Sequence, residues 1–161
     1  MNSVLQSGVV TPNHLASWTT DGVIQDSGVA FTNTYGMFAS SVTGINFNSA
    51  NTDNPVVVPL PSGYTRYRIH GIVISGASAS LSSATCGVFT AGSAGGVAVV
   101  ASGTAITVTA TTTDTVNNMQ NLTIANQNTM VLSDAALFFR VQTPQGSAAI
   151  ANVSIFYQPM P

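Results

Sequence analysis

The chain contains no lysine and no glutamate. Its charges are three Arg against five Asp in 161 residues, 5% of the total, and the net charge is −2. An ordinary soluble domain is about one quarter charged, so the solvated surface must be built from Ser, Thr, Asn, Gln and Gly. Nucleic-acid binding needs a basic stripe to neutralise phosphates, and three Arg do not supply one, so no nucleic-acid partner is expected. No run of roughly eighteen apolar residues occurs, so no membrane span or membrane partner is expected. The opening residues carry neither the basic region nor the apolar stretch of a secretory signal. Without that route, the glycosylation sequons at Asn121 and Asn152 mean nothing. A single cysteine, Cys86, excludes an intrachain disulfide and any cysteine-based zinc site. It stands among small residues and reads as a small buried hydrophobe rather than a reactive thiol. Helix signals are almost absent as well: there are no heptads and no Glu/Lys pairs.

What the chain does have is apolar content, 45% of residues, which argues against intrinsic disorder. Its length suits one domain, or one domain with an arm. Val, Ile, Thr and aromatics recur in short alternating runs, as strands prefer. Residues 55–61 hold three prolines, which confine them to a sheet edge or an entry loop. Tyr64 to Ser75 is the clearest strand, with Tyr67, Ile69 and Val73 on one face and Arg66, Arg68 and His70 on the other. Further strands are expected at 80–90, 97–101, 104–110, 122–125 and 130–132, with a Gly-rich loop at 91–96. A long strand at 136–143, a turn at 144–147 and a closing strand at 149–157 complete the series. In the closing strand Ala151, Val153, Ile155 and Tyr157 alternate with Asn152, Ser154 and Phe156. Seven or eight short strands separated by turns mean an all-β, antiparallel β-sandwich rather than parallel α/β. The expected division is an N-terminal arm and linker, 1–54, followed by the sandwich, 55–161.

The arm holds the only Trp and one of two His. Val9-Val10 leads into Thr11-Pro12, where proline fixes its own φ and biases Thr11 towards an extended conformation. The run from His14 to Thr19 follows, Asp21-Gly22 supplies a tight turn, and Val23-Ile24-Gln25 runs back as a hairpin. Its apolar residues are too few for a core, so such an arm is stable only when it lies on something else.

The string Val-Thr-Pro-Asn-His-Leu-Ala-Ser-Trp-Thr-Thr-Asp-Gly-Val-Ile-Gln-Asp-Ser-Gly, residues 10–28, resembles the N-terminal signature of small structural proteins of tailed bacteriophages. Their common form reads V-T-P-G-H-L-A-x-W-x-x-D-G-V-I-x-D-x-G. The departure is Asn13, where relatives often carry Gly; Asn tolerates left-handed φ better than most residues. A looser resemblance runs from Phe138 to Phe156, which looks like the closing hairpin of the β-sandwich modules in such proteins. The resemblance implies a virion component, with a jelly roll as the form of sandwich.

Few residues are candidates for chemistry. Asp21 and Asp26 do not make a glycosidase pair by sequence, since one sits in an Asp-Gly turn whose ordinary role is geometry. His14 and His70 each stand without a neighbouring ligand, and metal binding needs three or four converging donors. No nucleophile elbow or phosphate-cradling loop is present. No enzyme activity, cofactor or metal is expected. The candidate site is a docking surface: Val10, Pro12, His14, Leu15, Trp18, Val23 and Ile24 on the arm, with Trp18 as an interface anchor. Arg66, Arg68 and His70 form a small positive stripe that meets a partner, pairs with Asp residues of the same molecule, or faces water.

The expected function is a capsid decoration or cement protein on the phage head. Its partners would be the major capsid protein or other virion subunits, and further copies of itself as a homo-oligomer. The alternative is a tail-fibre, spike or adaptor component whose arm anchors to the virion and whose sandwich faces a host receptor.

Overall fold

The computed structural model describes residues 14–18 and 24–30 as backbone, and residues 36–109 and 118–161 in full. The chain falls into two units, Met1–Gly36 and Met37–Pro161.

In the first unit β1 (His14–Trp18) and β2 (Ile24–Ala30) pair antiparallel as a two-stranded sheet of their own. Trp18 stands opposite Ile24 and Ala16 opposite Asp26, with a register shift between His14 and Ala16. The hairpin read from the sequence is therefore present. The Asp21-Gly22 turn lies outside the described residues.

The second unit is a sandwich of two four-stranded antiparallel sheets. The strands are β3 (Phe38–Asn46), β4 (Asp53–Val57), β5 (Arg66–Ser75), β6 (Thr85–Ala91), β7 (Gly95–Ala105), β8 (Met119–Asn121), β9 (Ala136–Thr143) and β10 (Ile150–Met160). One sheet has the order β3-β10-β5-β8 and the other β4-β9-β6-β7. The pairing is nested: β3 with β10, β4 with β9, β5 with β8 and β6 with β7. One long antiparallel ribbon has thus been wound over itself, bringing β10 against β5 and β9 against β6. Every connection from β3 onwards changes sheet except the β6–β7 turn. This is the strand order of a jelly roll.

The nesting corrects the domain boundary. Residues 38–46, expected within the arm and linker, form an edge strand hydrogen-bonded along β10. The sandwich therefore begins near residue 37, not 55. Ser40, Ser41, Thr43 and Gly44 made the segment read as a linker. An edge strand with one wet face needs only Val42 and Ile45 turned inward, and Ile45 is buried there.

The core lies between the sheets, and β10 shows how it is made. Ala151, Val153, Ile155 and Tyr157 are all fully buried, and the residues between them face outward. Tyr67, Phe47 and Phe139 are the other fully buried aromatic side chains among the described residues. Phe47 packs against Phe139 at 5.6 Å between ring centroids, and Tyr67 meets Tyr157 edge-on at 5.7 Å.

On β5 the expected face is only half right. Tyr67 and Ile69 are buried, but the buried set then shifts to Ile72 and Ile74, leaving Val73 outside. The cause is a β-bulge: Tyr157 pairs with Ile69 while Phe156 pairs with Gly71, so His70 is an extra residue. A bulge reverses the side-chain alternation beyond it.

The strand expected at 97–101 and the first two residues of the one expected at 104–110 belong to one strand, β7; residues 106–109 are not strand and residue 110 lies outside the described residues, and the expected strands at 122–125 and 130–132 are not strands. The Leu122 N–H donates to the Ile72 carbonyl of one sheet and the Ala125 N–H to the Val99 carbonyl of the other, each at 2.8 Å. This crossing segment closes one side of the sandwich. Pro55 sits on β4, at a sheet edge, where its missing N–H interrupts no central ladder.

Candidate functional site

Of the arm residues singled out by sequence, Val10, Pro12 and Val23 lie outside the described residues. His14, Leu15 and Trp18 fall on β1 and Ile24 on β2, where Trp18 and Ile24 are opposite one another at the turn end of the hairpin. The register brings these two positions together across strands.

The positive stripe is on the outer face of β5. Arg66 and His70 are exposed, and Arg68 is half-buried between them. The Arg66 Nε donates to the Pro161 carbonyl at 3.1 Å, and its Nη2 donates to the same oxygen. The His70 ring lies 3.2 Å from the Gln158 side chain, Nε2 to Oε1. Gln127 donates to the His70 carbonyl at 2.7 Å, so the bulge backbone is also satisfied. The Arg68 Nε is buried and has no hydrogen-bond partner among the described residues. The stripe is therefore tied to the segment at the end of β10 through the main-chain oxygen of Pro161 and the Gln158 side-chain amide. The Tyr67, Ile69, Ile72, Ile74 spacing around a strand-interior glycine was the signal for the bulge that displays His70.

A second polar cluster was not legible in the sequence. Asp53 on β4 and Arg140 on β9 face each other in register, and the Arg140 Nη1 donates to the Asp53 Oδ1 at 2.6 Å. The other carboxylate oxygen accepts the Ser93 N–H at 2.7 Å. Partial burial works to raise the Asp53 pKa, but the Ser93 N–H and the Arg140 guanidinium outweigh it, and the carboxyl is held below its ordinary value. Ser93 and Ala94 both have positive φ, 57° and 60°, as a two-residue hairpin turn between β6 and β7 demands. Neither residue is a favoured occupant, since a left-handed alanine costs roughly 1–2 kcal/mol. Asp53 holds that turn in place. The 87 residues that separate it from Arg140 in sequence carried no hint of the pairing.

Cys86 is fully buried on β6, and burial pushes its thiol up to about 12, so it remains protonated and shielded. Tyr67 and Tyr157 are likewise raised by burial, with Asp134 adding to the effect at Tyr67. Among the described residues no three His, Cys, Asp or Glu side chains converge as a metal site would need.

The outer face of the β4-β9-β6-β7 sheet carries an apolar row beside polar groups, the Asp53–Arg140 pair and a Gln142 side chain that donates to the Ser102 hydroxyl at 2.5 Å. Pro55, Phe138, Phe89 and Ala98 stand in register across its four strands. Phe89 lies outside the main core yet is only 4% exposed, because its ring lies flat over Gly87. A Cβ on Gly87 would come within 2.8 Å of that ring. Beside this row, Val57 is 61% exposed.

The chemistry these surfaces offer is contact: a hairpin unit, a positive stripe hydrogen-bonded to the end of the chain beside it, and a sheet face with a short apolar row next to an Asp53–Arg140 ion pair. No protein-family model, curated protein or solved structure matches the chain.

Proposed function

We propose that the chain is a structural protein of a tailed-bacteriophage virion, acting as a capsid decoration or cement protein that bridges major capsid subunits. The observation that carries this reading is the resemblance of residues 10–28 to a phage structural signature, on a segment whose two strands form a sheet separate from the sandwich. A hairpin with so little apolar surface gains stability by docking. In this reading the arm reaches onto neighbouring shell subunits and the sandwich covers the joints between them. Many copies on a repetitive lattice add by avidity, so each contact need only be of ordinary size. A chain with 5% charged residues suits a molecule held by others.

The tail-fibre or adaptor reading draws on the jelly-roll strand order, a scaffold also used by lectin domains. Counting the polypeptide in purified particles separates the two. Copies comparable in number to the shell subunits mean cement; a small number set by tail symmetry means fibre or adaptor. Absence from particles, together with turnover of a substrate by the free protein, would overturn both.

A further inference from the structure

We infer that the outer face of the β3-β10-β5-β8 sheet around Arg68 and Phe156 is a binding site for a carboxylate-bearing sugar. Of the three Arg, Arg140 is held by Asp53 and Arg66 by the main-chain oxygen of Pro161. Arg68 has no such partner among the described residues, although it is half-buried and its Nε is closed off from solvent. A guanidinium that has lost part of its water and gained no acceptor is stabilised by an anion brought to its exposed edge. Partial burial strengthens that attraction relative to a fully exposed arginine. One unmatched cation calls for one negative charge, and the planar fork of a guanidinium fits a carboxylate.

The neighbours of Arg68 indicate what carries the carboxylate. Phe156 lies on the same face, paired in register with Gly71 on β5 and Ala39 on β3. Its ring leans towards β5, since a Cβ on Gly71 would lie 3.8 Å from it. With no side chain on one flank and a methyl on the other, the ring is not walled in by the strands beside it. Gln158 stands opposite Arg68, two residues along β10 from Phe156. Its Oε1 accepts from the His70 Nε2 at 3.2 Å, which fixes the amide and leaves its nitrogen as a donor. The β5 bulge contributes here, because His70 is the inserted residue and is displayed on this face. An unmatched guanidinium, an oriented amide and an aromatic ring thus stand on adjacent strands, roughly 5–8 Å apart. A sugar acid presents the matching set. The C–H groups on one side of its ring cover the Phe156 ring, a hydroxyl meets the Gln158 amide, and the carboxylate meets Arg68.

Other anions match less of this surface. An acidic protein side chain would use Arg68 and leave the amide and the aromatic ring idle. A nucleic acid needs a row of free cations, and the neighbouring Arg66 is already engaged. With one charge-assisted contact, one amide and one ring, a single sugar should bind with a Kd of about 1–10 mM. A polymer of such sugars, met by several copies of the chain, would gain by avidity.

This inference does not rest on the virion reading, and its test uses the full chain free in solution. Amide chemical shifts of the isotope-labelled protein would be followed as sodium glucuronate is added to about 50 mM at constant ionic strength. Glucose, sodium acetate and N-acetylaspartate would be titrated in parallel. Glucuronate is expected to shift the amides around Arg68, His70, Phe156 and Gln158, with an affinity at least about fivefold above that of the other three. Arg68→Gln should weaken it at least about tenfold, by loss of a charged hydrogen bond. Phe156→Leu keeps the apolar volume but loses the ring, and should weaken it about threefold. Unchanged shifts elsewhere in each spectrum would establish that the variants are folded. Should Arg68→Gln not fold, Phe156→Leu and the comparison of ligands on the wild type still decide. Absence of a saturable shift with glucuronate overturns the inference, as does undiminished binding by both variants. Equal binding of N-acetylaspartate also overturns it and would make an acidic protein segment the occupant, and equal binding of glucose would remove the carboxylate from recognition.

Discussion

Two buried tyrosines in edge-on contact, Tyr67 and Tyr157, should respond in opposite directions to loss of the hydroxyl. Tyr157 donates its hydroxyl to the Pro59 carbonyl at 2.6 Å. Tyr67 is fully buried, and its hydroxyl has no hydrogen-bond partner among the described residues. Replacing Tyr157 by Phe removes one hydrogen bond and strands the carbonyl of an exposed residue that water can reach, so the cost is about 1 kcal/mol. Replacing Tyr67 by Phe removes an unpaired group whose burial costs roughly 1–3 kcal/mol, less the few dispersion contacts of one oxygen atom. A gain of about 1 kcal/mol is expected, so the variants should differ by about 2 kcal/mol. Both changes keep the ring, so the contact at 5.7 Å and the packing of Phe38 on Tyr157 survive. Urea unfolding is the assay, with m unchanged; at about 2 kcal/mol per molar, the midpoints should stand about 1 M apart. The signal must be circular dichroism, because the sole Trp belongs to the hairpin unit and not to the sandwich. If Tyr67→Phe destabilises the sandwich as much as Tyr157→Phe does, the hydroxyl is satisfied in solution and the reasoning fails.

Asp53→Asn should cost about 1–2 kcal/mol at neutral pH, because Arg140 loses its carboxylate partner. The Asp53 pKa is lowered in the folded chain, so its stabilisation is present above the ordinary carboxylate value and is lost as pH falls through the folded value. Thermal unfolding of the two proteins should therefore converge in acid; a constant gap would show that the ion pair is not its source. The Cys86 thiol should resist a disulfide-exchange reagent in the native protein and react fully once urea unfolds it, since only the thiolate attacks. Rapid native labelling at neutral pH would mean that β6 opens locally.

The parts of the fold that the sequence revealed are those encoded by local alternation. The strand at 136–143 and the inward set Ala151, Val153, Ile155 and Tyr157 were read from period two alone. The hairpin was read from its Asp-Gly turn between two extended runs, and its register, Trp18 opposite Ile24, came only with the structure. Three kinds of feature escaped. The β5 bulge inserts one residue and inverts the alternation, so Val73 was placed inside when Ile72 and Ile74 are. Residues 38–46 carry little apolar content because an edge strand needs little, and only their pairing with β10 makes them part of the sandwich. The Asp53–Arg140–Ser93 cluster joins three segments that are distant in sequence, and nothing local to any of them predicts the others. Of the candidate surface, the stripe at Arg66, Arg68 and His70 was legible as an outward face. Its ties to Pro161 and Gln158 depend on β10 lying alongside.

Proteins often guard sheet edges with lysine, but this chain has none. It guards them with backbone devices instead: Pro55 on β4, a three-residue β8, bulges on β3 and β7, and the 122–125 segment that satisfies a carbonyl on each sheet. These devices bring no electrostatic repulsion, so they block strand addition without preventing approach. The faces are left free to decide what binds, and both mix apolar residues with hydroxyls and amides; on one of them the charges, Asp53 and Arg140, are already paired with each other. Contacts built on such a face respond little to ionic strength, because no separated charges are brought together. A molecule of this kind limits strand addition through strand geometry where many proteins use charge.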